Sequence, residues 1–264
     1  PLLPGAAAVS VISAAVAGCQ QVCSGSAKVQ QLHAQADAII ASIAPTSFPA
    51  RDFVLTDFIA TGTAALTTKA VTSEIAEAIA ACHQAGGGRV LIPAGRWLTG
   101  AIHLRSNVNL HLAKNAVLVF SSATEDYLPY VMTRWEGVEL MGYSPLIYAF
   151  EQDNIAITGE GILEGGGSVS QWWPWKGKWK HTPWQLAPKT DQSNTRNPLF
   201  AMAEAGVPVA ERVFSENYLR PPFIQPYRCK RVLIEGVTIR NSPFWLINPV
   251  LSEDVIVRGV NCVS

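Results

Sequence analysis

Two ten-residue segments near the end of the chain can be laid over each other, and this repeat limits the possible folds more than any other feature. Residues 230–239 (KRVLIEGVTI) and 253–262 (EDVIVRGVNC) share their hydrophobic positions, and each has a glycine at the same place. Their offset is 23 residues, since 253 minus 230 is 23. A period of this length, built from strands this short, is too small for a propeller blade and is typical of one coil of a parallel solenoid.

Similar β-branched runs occur earlier, separated by Gly, Asn, Asp and Ser. Val108 and Ile155 lie in two of them, 47 residues apart, which we interpret as two periods. No coil can bury its inner face alone, so coils stacked about 4.8 Å apart would form the core. The sequence therefore predicts an all-β fold, a right-handed parallel β-helix, over residues 51–264. The rival fold is an antiparallel sandwich, which Asn-Gly or Asp-Gly hairpin turns would favour, but the chain contains neither dipeptide.

Helical spacing occurs in two places before the repeats. Residues 28–44 place Leu32, Ile39 and Ile43 on one stripe, which predicts a lead-in helix within a segment that spans residues 26–50. A second helix is expected to begin near Thr72, as a possible N-cap, or earlier, near Thr68, and to end at the glycines that follow residue 85. An initial helix can cap the open end of a solenoid, whose strand edges would otherwise invite pairing. Because a strand follows these glycines, they do not form a nucleotide-binding loop.

The composition excludes two classes of protein, and the first 25 residues indicate where in the cell the protein is found. The chain has 20 basic and 20 acidic side chains, 48% hydrophobic residues and 15% charged residues, which excludes a disordered chain and one held to nucleic acid by overall charge. Residues 1–25 are typical of a signal or lipoprotein-type segment, and residues 16–19 (VAGC) resemble a lipobox with lipidation at Cys19. We therefore expect an exported protein: periplasmic, an outer-membrane lipoprotein with possible membrane attachment through its lipid, or secreted.

The five cysteines show no metal-ligand spacing, and we expect no metal and no cofactor. We interpret the cysteines of the body as small buried hydrophobes, and Trp245 as a core residue. An envelope location would permit a disulfide, but the sequence does not pair the cysteines.

A long insertion at residues 165–226 interrupts the repeats, and five of the eight tryptophans lie within residues 171–184. Exposed indoles could form a platform for sugar rings, or could anchor the loop as a satellite core. Residues 165–231 hold 10 Lys/Arg and 4 Asp/Glu, a net charge of +6, so the remainder carries −6. Aromatic rings with a positive field favour an anionic sugar; a solvated loop face is the alternative. Single-stranded nucleic acid would also fit that pattern, but we do not expect it as the partner of an exported protein.

Four segments in order carry a family resemblance: residues 86–112, 159–167 (GEGILEGGG), 220–229 (RPPFIQPYRC) and 237–250 (VTIRNSPFWLINPV). The first two resemble the opening coils of pectin-degrading parallel β-helix enzymes. The last two narrow the resemblance to glycoside hydrolase family 28, the polygalacturonases, particularly bacterial members. The resemblance implies inverting hydrolysis of galacturonosyl links, which requires two carboxyl groups about 6.5–9.5 Å apart.

The catalytic elements that this resemblance implies are missing. The chain contains no Asn-x-Asp, Asp-Asp or Gly-His-Gly, and Arg228-Cys-Lys230 precedes the place where the family's Arg-x-Lys element belongs. We therefore assign no catalytic residue in this chain and expect an N-terminal portion, truncated before the catalytic coils; a natural protein that has lost catalysis is the alternative. Glu160 and Glu164 are expected on solvent-facing turns.

Substrate-binding roles are assigned to seven residues: Trp172, Trp173, Trp175, Lys176, Arg220, Arg228 and Asn248. The arginines could meet carboxylates as bidentate partners or form structural salt bridges. The resemblance places a polar side chain toward the substrate at Asn248, and an asparagine stacked in a solenoid turn is the alternative. The expected partner is a pectic oligo- or polysaccharide, bound by a monomer. A pectic lyase and a non-catalytic carbohydrate-binding solenoid remain alternatives.

Overall fold

The computed structural model describes residues 27–60, 70–178, 184 and 190–263. These residues belong to two compact units, which meet in sequence between Ala44 and Pro45. The first unit contains helix α1 over residues 27–42. The signal segment and Cys19 lie outside the described residues. Within the described ranges, no helix combines the length and the apolar character needed to cross a membrane.

The second unit is mostly short strands. Its helices are α2 (Thr72–Gln84) and α3 (Ser193–Glu204). The strands among the described residues are β1 (Asp52–Val54), β2 (Gly88–Ile92), β3 (Gly95–Thr99), β4 (Ile102–His103), β5 (Val108–Leu112), β6 (Ala116–Phe120), β7 (Val131–Trp135), β8 (Val138–Gly142), β9 (Ile147–Phe150), β10 (Asp153–Gly159), β11 (Ile162–Glu164), β12 (Ile224–Tyr227), β13 (Lys230–Glu235), β14 (Thr238–Arg240), β15 (Glu253–Arg258) and β16 (Asn261–Val263).

The strands form three parallel sheets. Sheet A has the order β1-β2-β5-β10-β13-β15, sheet B the order β3-β6-β11-β14-β16, and sheet C the order β4-β9-β12. The chain visits A, B and C in turn, and each strand pairs in parallel with its equivalent in the next coil. The predicted parallel β-helix is thereby confirmed. The hairpin β7–β8 is antiparallel and lies outside this scheme.

The register confirms one predicted repeat and corrects another. Lys230 pairs with Glu253 and Glu235 with Arg258, which is the 23-residue alignment expected from the sequence. Ala156 pairs with Asn109, so the 47-residue offset is one coil and the interpretation as two periods was wrong. The reason is that the hairpin β7–β8 and its flanking loops are inserted between β6 and β9.

The shared glycine of the repeat has a steric cause. Gly159 has a φ of 113°, and a Cβ there would lie 2.0 Å from the carbonyl oxygen of Leu112 in the preceding coil. A Cβ at Gly236 would lie 2.6 Å from the carbonyl oxygen of Gly159. Consecutive coils therefore touch backbone to backbone at Gly159 and Gly236, where a side chain would clash, whereas at Gly259 the nearest atoms lie 3.9 Å from a Cβ and only the φ of 61° favours glycine.

Helix α2 is the cap of the first coil. Its buried face contains Ile75, Ile79 and Cys82, and the helix contacts β1, β2, β4 and β5. The prediction of Thr72 as N-cap was wrong: Val71 holds that position, and the Thr72 hydroxyl instead accepts a hydrogen bond of 2.7 Å from the Gly100 amide. The cap is therefore tied to the turn between β3 and β4.

The described cysteines differ in exposure. Cys82 and Cys229 are buried, as expected for small hydrophobes, whereas Cys262 on the last coil is exposed. Burial raises the pKa of the Cys82 thiol to about 11 and also raises the pKa of Cys229, so both thiols are unreactive in the folded state.

Candidate functional site

The hairpin β7–β8 lies across the outer face of sheet C. The Tyr148 hydroxyl on β9 donates a hydrogen bond of 2.5 Å to the carbonyl oxygen of Met132. The Thr133 hydroxyl donates one of 2.6 Å to Oε1 of Gln225 on β12, and Nε2 of Gln225 donates one of 3.2 Å to the carbonyl oxygen of Arg134. These bonds fix the hairpin over β9 and β12, so it forms a wall on this face.

An open groove of about 240 Å³ lies at the tip of the hairpin, and we call it the Trp245 groove. Its lining includes Arg134 from the hairpin and Trp245, Asn248 and Leu251 from the coil after β14. The prediction that Trp245 belongs to the core was wrong, because 43% of this residue is exposed. The groove therefore offers an accessible indole beside a guanidinium group.

A stack of parallel rings supports the exposed indole. The rings of Trp135 and Phe244 have centroids 5.3 Å apart, and those of Phe244 and Trp245 have centroids 5.0 Å apart, with interplanar angles of 13° and 10°. The Arg220 guanidinium lies 5.0 Å from the centroid of Phe244. Ring stacking and this cation–π contact hold Trp245 in a fixed orientation.

Asn248 forms the floor of the Trp245 groove. The backbone N–H of Asn248 donates a hydrogen bond of 2.8 Å to the carbonyl oxygen of Ile224. This bond extends sheet C by one coil. Its side chain is largely buried, and Nδ2 has no acceptor among the described residues. A buried donor that lacks an acceptor is costly, and because Nδ2 is itself closed to solvent, it is not presented to a ligand in the groove.

No family model matches the chain. It is similar to the crystal structure of a hyperthermoactive exopolygalacturonase from Thermotoga maritima, with 44% identity and a TM-score of 0.79 over 86% of this chain and 50% of that chain. It is 28% identical over 204 residues to an exo-poly-alpha-D-galacturonosidase of Dickeya chrysanthemi, and 26% identical over 187 residues to a probable polygalacturonase of Vitis vinifera. These similarities support a polygalacturonase-like family for this chain, that of glycoside hydrolase family 28.

The alignments cover 72% and 68% of this chain but 33% and 30% of the Dickeya and Vitis proteins. The chain thus spans about a third of the length of these two relatives and half of the Thermotoga structure.

Most of the predicted tryptophan platform is a satellite core. Trp172 is 3% exposed, and its ring packs against Tyr127 and Trp175 with centroids 5.6 and 5.0 Å apart. Nε1 of Trp173 donates a hydrogen bond of 2.9 Å to the carbonyl oxygen of Ser242. Trp172 therefore presents no face to a ligand, and this cluster anchors the insertion to the coils. Lys176 is exposed at the end of the short 3-10 helix that carries Trp173 and Trp175.

The two predicted arginines have different surroundings. Arg220 is 9% exposed, donates to the carbonyl oxygen of Pro243 at 3.2 Å and to Oε1 of Gln192 at 3.3 Å, and burial lowers its pKa to about 10. It supports the ring stack and does not reach solvent. The Arg228 side chain is 42% exposed and lies 3.7 Å from Glu139 and 3.5 Å from Glu151, in an exposed ion-pair network.

The carboxylates singled out in the sequence form structural pairs. Glu160 lies on an exposed turn, as expected, 3.8 Å from Lys114. The prediction for Glu164 was wrong, because it lies on β11 and pairs with Arg240 of the next coil at 2.6 Å. Among the described residues, no group of three His, Cys, Asp or Glu side chains could hold a metal ion.

The hairpin and Arg134 were missed at the sequence level. The turn of the hairpin is Glu136-Gly137, both with positive φ, flanked by strands that pair from Val131 to Gly142. A two-residue turn with positive φ at both positions is typical of tight hairpins. The sequence signal for this hairpin is the dipeptide Glu136-Gly137, which takes the place of the more common Asn-Gly or Asp-Gly.

Proposed function

We propose that this protein is a pectin-degrading glycoside hydrolase that cleaves galacturonosyl links with inversion. The observation that carries the proposal is the Trp245 groove, because it joins an exposed indole and a guanidinium group. The apolar face of a sugar ring packs on indole, and a guanidinium group recognises a carboxylate. Nε of Arg134 donates a hydrogen bond of 2.9 Å to the carbonyl oxygen of Gly137. This bond fixes the orientation of the guanidinium group at the hairpin tip.

We further propose that the protein acts at chain ends. The hairpin β7–β8 covers sheet C over β9 and β12, so a polymer in the Trp245 groove cannot continue along the sheet past the hairpin. The similarity to two proteins named as exo-acting supports this proposal. A chain-end enzyme releases reducing ends with little loss of viscosity, whereas a fast fall in viscosity would contradict this mode.

The central experiment compares two polypeptides on polygalacturonate: the product of the complete gene and the 264-residue chain. We expect reducing-end release by the gene product. We expect none by the 264 residues, because they contain no Asp-Asp or Asn-x-Asp element. NMR of the first product should show an anomeric configuration that is inverted relative to the substrate, as the proposed inverting hydrolysis requires. Unsaturated products would instead identify a lyase, and binding without turnover by the gene product would identify a carbohydrate-binding solenoid.

We also propose that the protein is exported, carries a lipid on Cys19 and is a monomer. The VAGC segment at residues 16–19 supports the first two points, since a polymeric substrate is met outside the cell. Metabolic labelling with a radioactive fatty acid should mark the wild-type protein and not Cys19→Ala. Light scattering of the purified protein tests the monomer.

A further inference from the structure

The outer face of sheet C has a second groove, on the opposite side of the hairpin from the Trp245 groove. Its volume is about 550 Å³, and β4 and β9 form its floor between α2 and residues 126–128. We call it the His103 groove. Sites for small ligands have volumes of about 300–1,000 Å³, so this groove is large enough for one or two sugar units.

The hairpin separates the two grooves. The bond from the Tyr148 hydroxyl to Met132 and the bond from Thr133 to Gln225 close the sheet face between them. A saccharide in the Trp245 groove therefore cannot extend into the His103 groove along sheet C. Any ligand of the His103 groove is bound independently.

The polar groups of the His103 groove are open to a ligand. Arg105 and Asp126 are exposed, and neither forms an ion pair with another described residue. Nε2 of His103 lies 2.9 Å from the hydroxyl oxygen of Ser144, and that hydroxyl donates 2.9 Å to the carbonyl oxygen of Pro145. In the tautomer that is consistent with the bond from Ser144 to Pro145, Nε2 donates to Ser144 and Nδ1 is left as a hydrogen-bond acceptor. Desolvation lowers the pKa of His103, which favours the neutral form of the ring.

Apolar surface lies beside these groups. Leu128 is 51% exposed at the edge of the groove. Phe150 also lines the groove, and its ring stacks on Tyr148 with centroids 6.4 Å apart and an interplanar angle of 19°. An apolar strip next to a cation, a carboxylate and a neutral imidazole matches a sugar with a carboxylate, hydroxyl groups and an apolar ring face.

We propose that the His103 groove is a second, non-catalytic binding site for an acidic saccharide. Arg105 binds the sugar carboxylate, Asp126 and Nδ1 of His103 accept hydrogen bonds from hydroxyl groups, and Leu128 and Phe150 pack against the ring. The identification of the saccharide as a galacturonide rests on the proposed function. Such a site would hold a second stretch of polymer while the first occupies the Trp245 groove.

The test is isothermal titration of the 264-residue chain with trigalacturonic acid, with neutral galactotriose as the comparison. We expect two sites in the wild type, and one of them weakened at least about tenfold by Arg105→Gln, since a charge-assisted hydrogen bond is lost. Trp245→Ala should weaken the other site. Arg96→Gln is the matched control, because Arg96 is also an exposed arginine, on β3 and outside this groove. It should leave both sites unchanged.

Three results would overturn the proposal: a single site that only Trp245→Ala weakens, equal affinity in Arg105→Gln and wild type, or equal affinity for neutral galactotriose. Failure of this proposal and failure of the proposed function are distinguishable. Hydrolysis of polygalacturonate by the gene product with unchanged binding in Arg105→Gln contradicts this proposal alone. Arg105-dependent binding of the acidic trisaccharide without any hydrolysis contradicts the proposed function alone.

Discussion

The turns of the coils and the turn of the hairpin β7–β8 both use glycine with positive φ, but under different constraints. At Gly159 a Cβ would lie 2.0 Å from the backbone of the preceding coil, whereas at Gly137 no atom lies within 4 Å. The first glycine is required by stacking, and the second only by the local conformation of the turn. Repetition therefore constrains the coils sterically at Gly159, while the turn of the inserted hairpin is free to vary.

The side-chain contacts of the two regions differ in the same way. In sheet A the same exposed bidentate pair recurs between coils, as in Arg89 with Asp52 and Arg231 with Asp153. The contacts of the hairpin occur once, as in the stack of Trp135 on Phe244 and Trp245 of the coil after β14. The candidate groove is built from these single contacts on the scaffold that the repeats provide.

The sharpest test of this comparison is a pair of glycine substitutions. Gly159→Ala should lower the free energy of unfolding by more than about 3 kcal/mol or prevent folding, because the methyl group meets backbone. Gly137→Ala should cost only about 1 kcal/mol, the cost of the positive φ. Denaturant unfolding measures both, and equal losses would show that stacking does not constrain the coil turn.

A second test compares the two arginines once assigned to substrate. Arg220→Met removes hydrogen bonds to Pro243 and Gln192 and the charge beneath Phe244, so we expect a loss of about 2–3 kcal/mol. Binding at the Trp245 groove should weaken in parallel. Arg228→Gln should cost well under about 1 kcal/mol, because its ion pairs are exposed. Comparable losses in the two variants would contradict the supporting role of Arg220.

The smallest effect is expected in the ion-pair ladder of sheet A. The hydrogen bond from Arg89 holds the pKa of Asp52 below its usual value. A lowered folded-state pKa stabilises the protein above the unfolded pKa of about 3.9, and this stability is lost as the pH falls through the folded-state value. Asp52→Asn should therefore cost about 0.5 kcal/mol at pH 7, after allowance for solvent screening, and nothing at the acid end. Unfolding curves of the wild type and Asp52→Asn at several pH values and at high salt check this prediction. A difference in the free energy of unfolding between the two proteins that grows toward low pH would refute it.

The sequence was sufficient for the coils because each element of the repeat has a local cause. Alternating apolar residues at Val232 and Ile234 and the glycine at residue 236 recur 23 residues later, and the register is the one that this alignment predicts. The same reasoning failed where an insertion changed the spacing, since the 47 residues between Val108 and Ile155 contain the hairpin. Periodicity alone does not distinguish two short coils from one interrupted coil.

The candidate site was predicted only in part. The sequence predicts a substrate-binding role for Asn248, which lines the Trp245 groove, but it predicts Trp245 as a core residue and gives no signal for Arg134. Trp172 was assigned to a platform, but Tyr127 and Trp175 enclose it. An indole has the same sequence signature when it anchors a loop and when it binds a sugar, so only its neighbours decide which role it takes.

Sequence patterns were enough to predict the parallel β-helix and the 23-residue register, because these depend on residues that recur along the chain, and four local segments were enough for the polygalacturonase-like resemblance. The tertiary structure alone decided which aromatic rings and arginines reach solvent, and that the hairpin divides the outer face of sheet C into two grooves. This difference arises because the hydrogen bonds of Arg220 and Tyr148 and the stack of Trp135 on Phe244 join segments distant in sequence, whose packing no local pattern records.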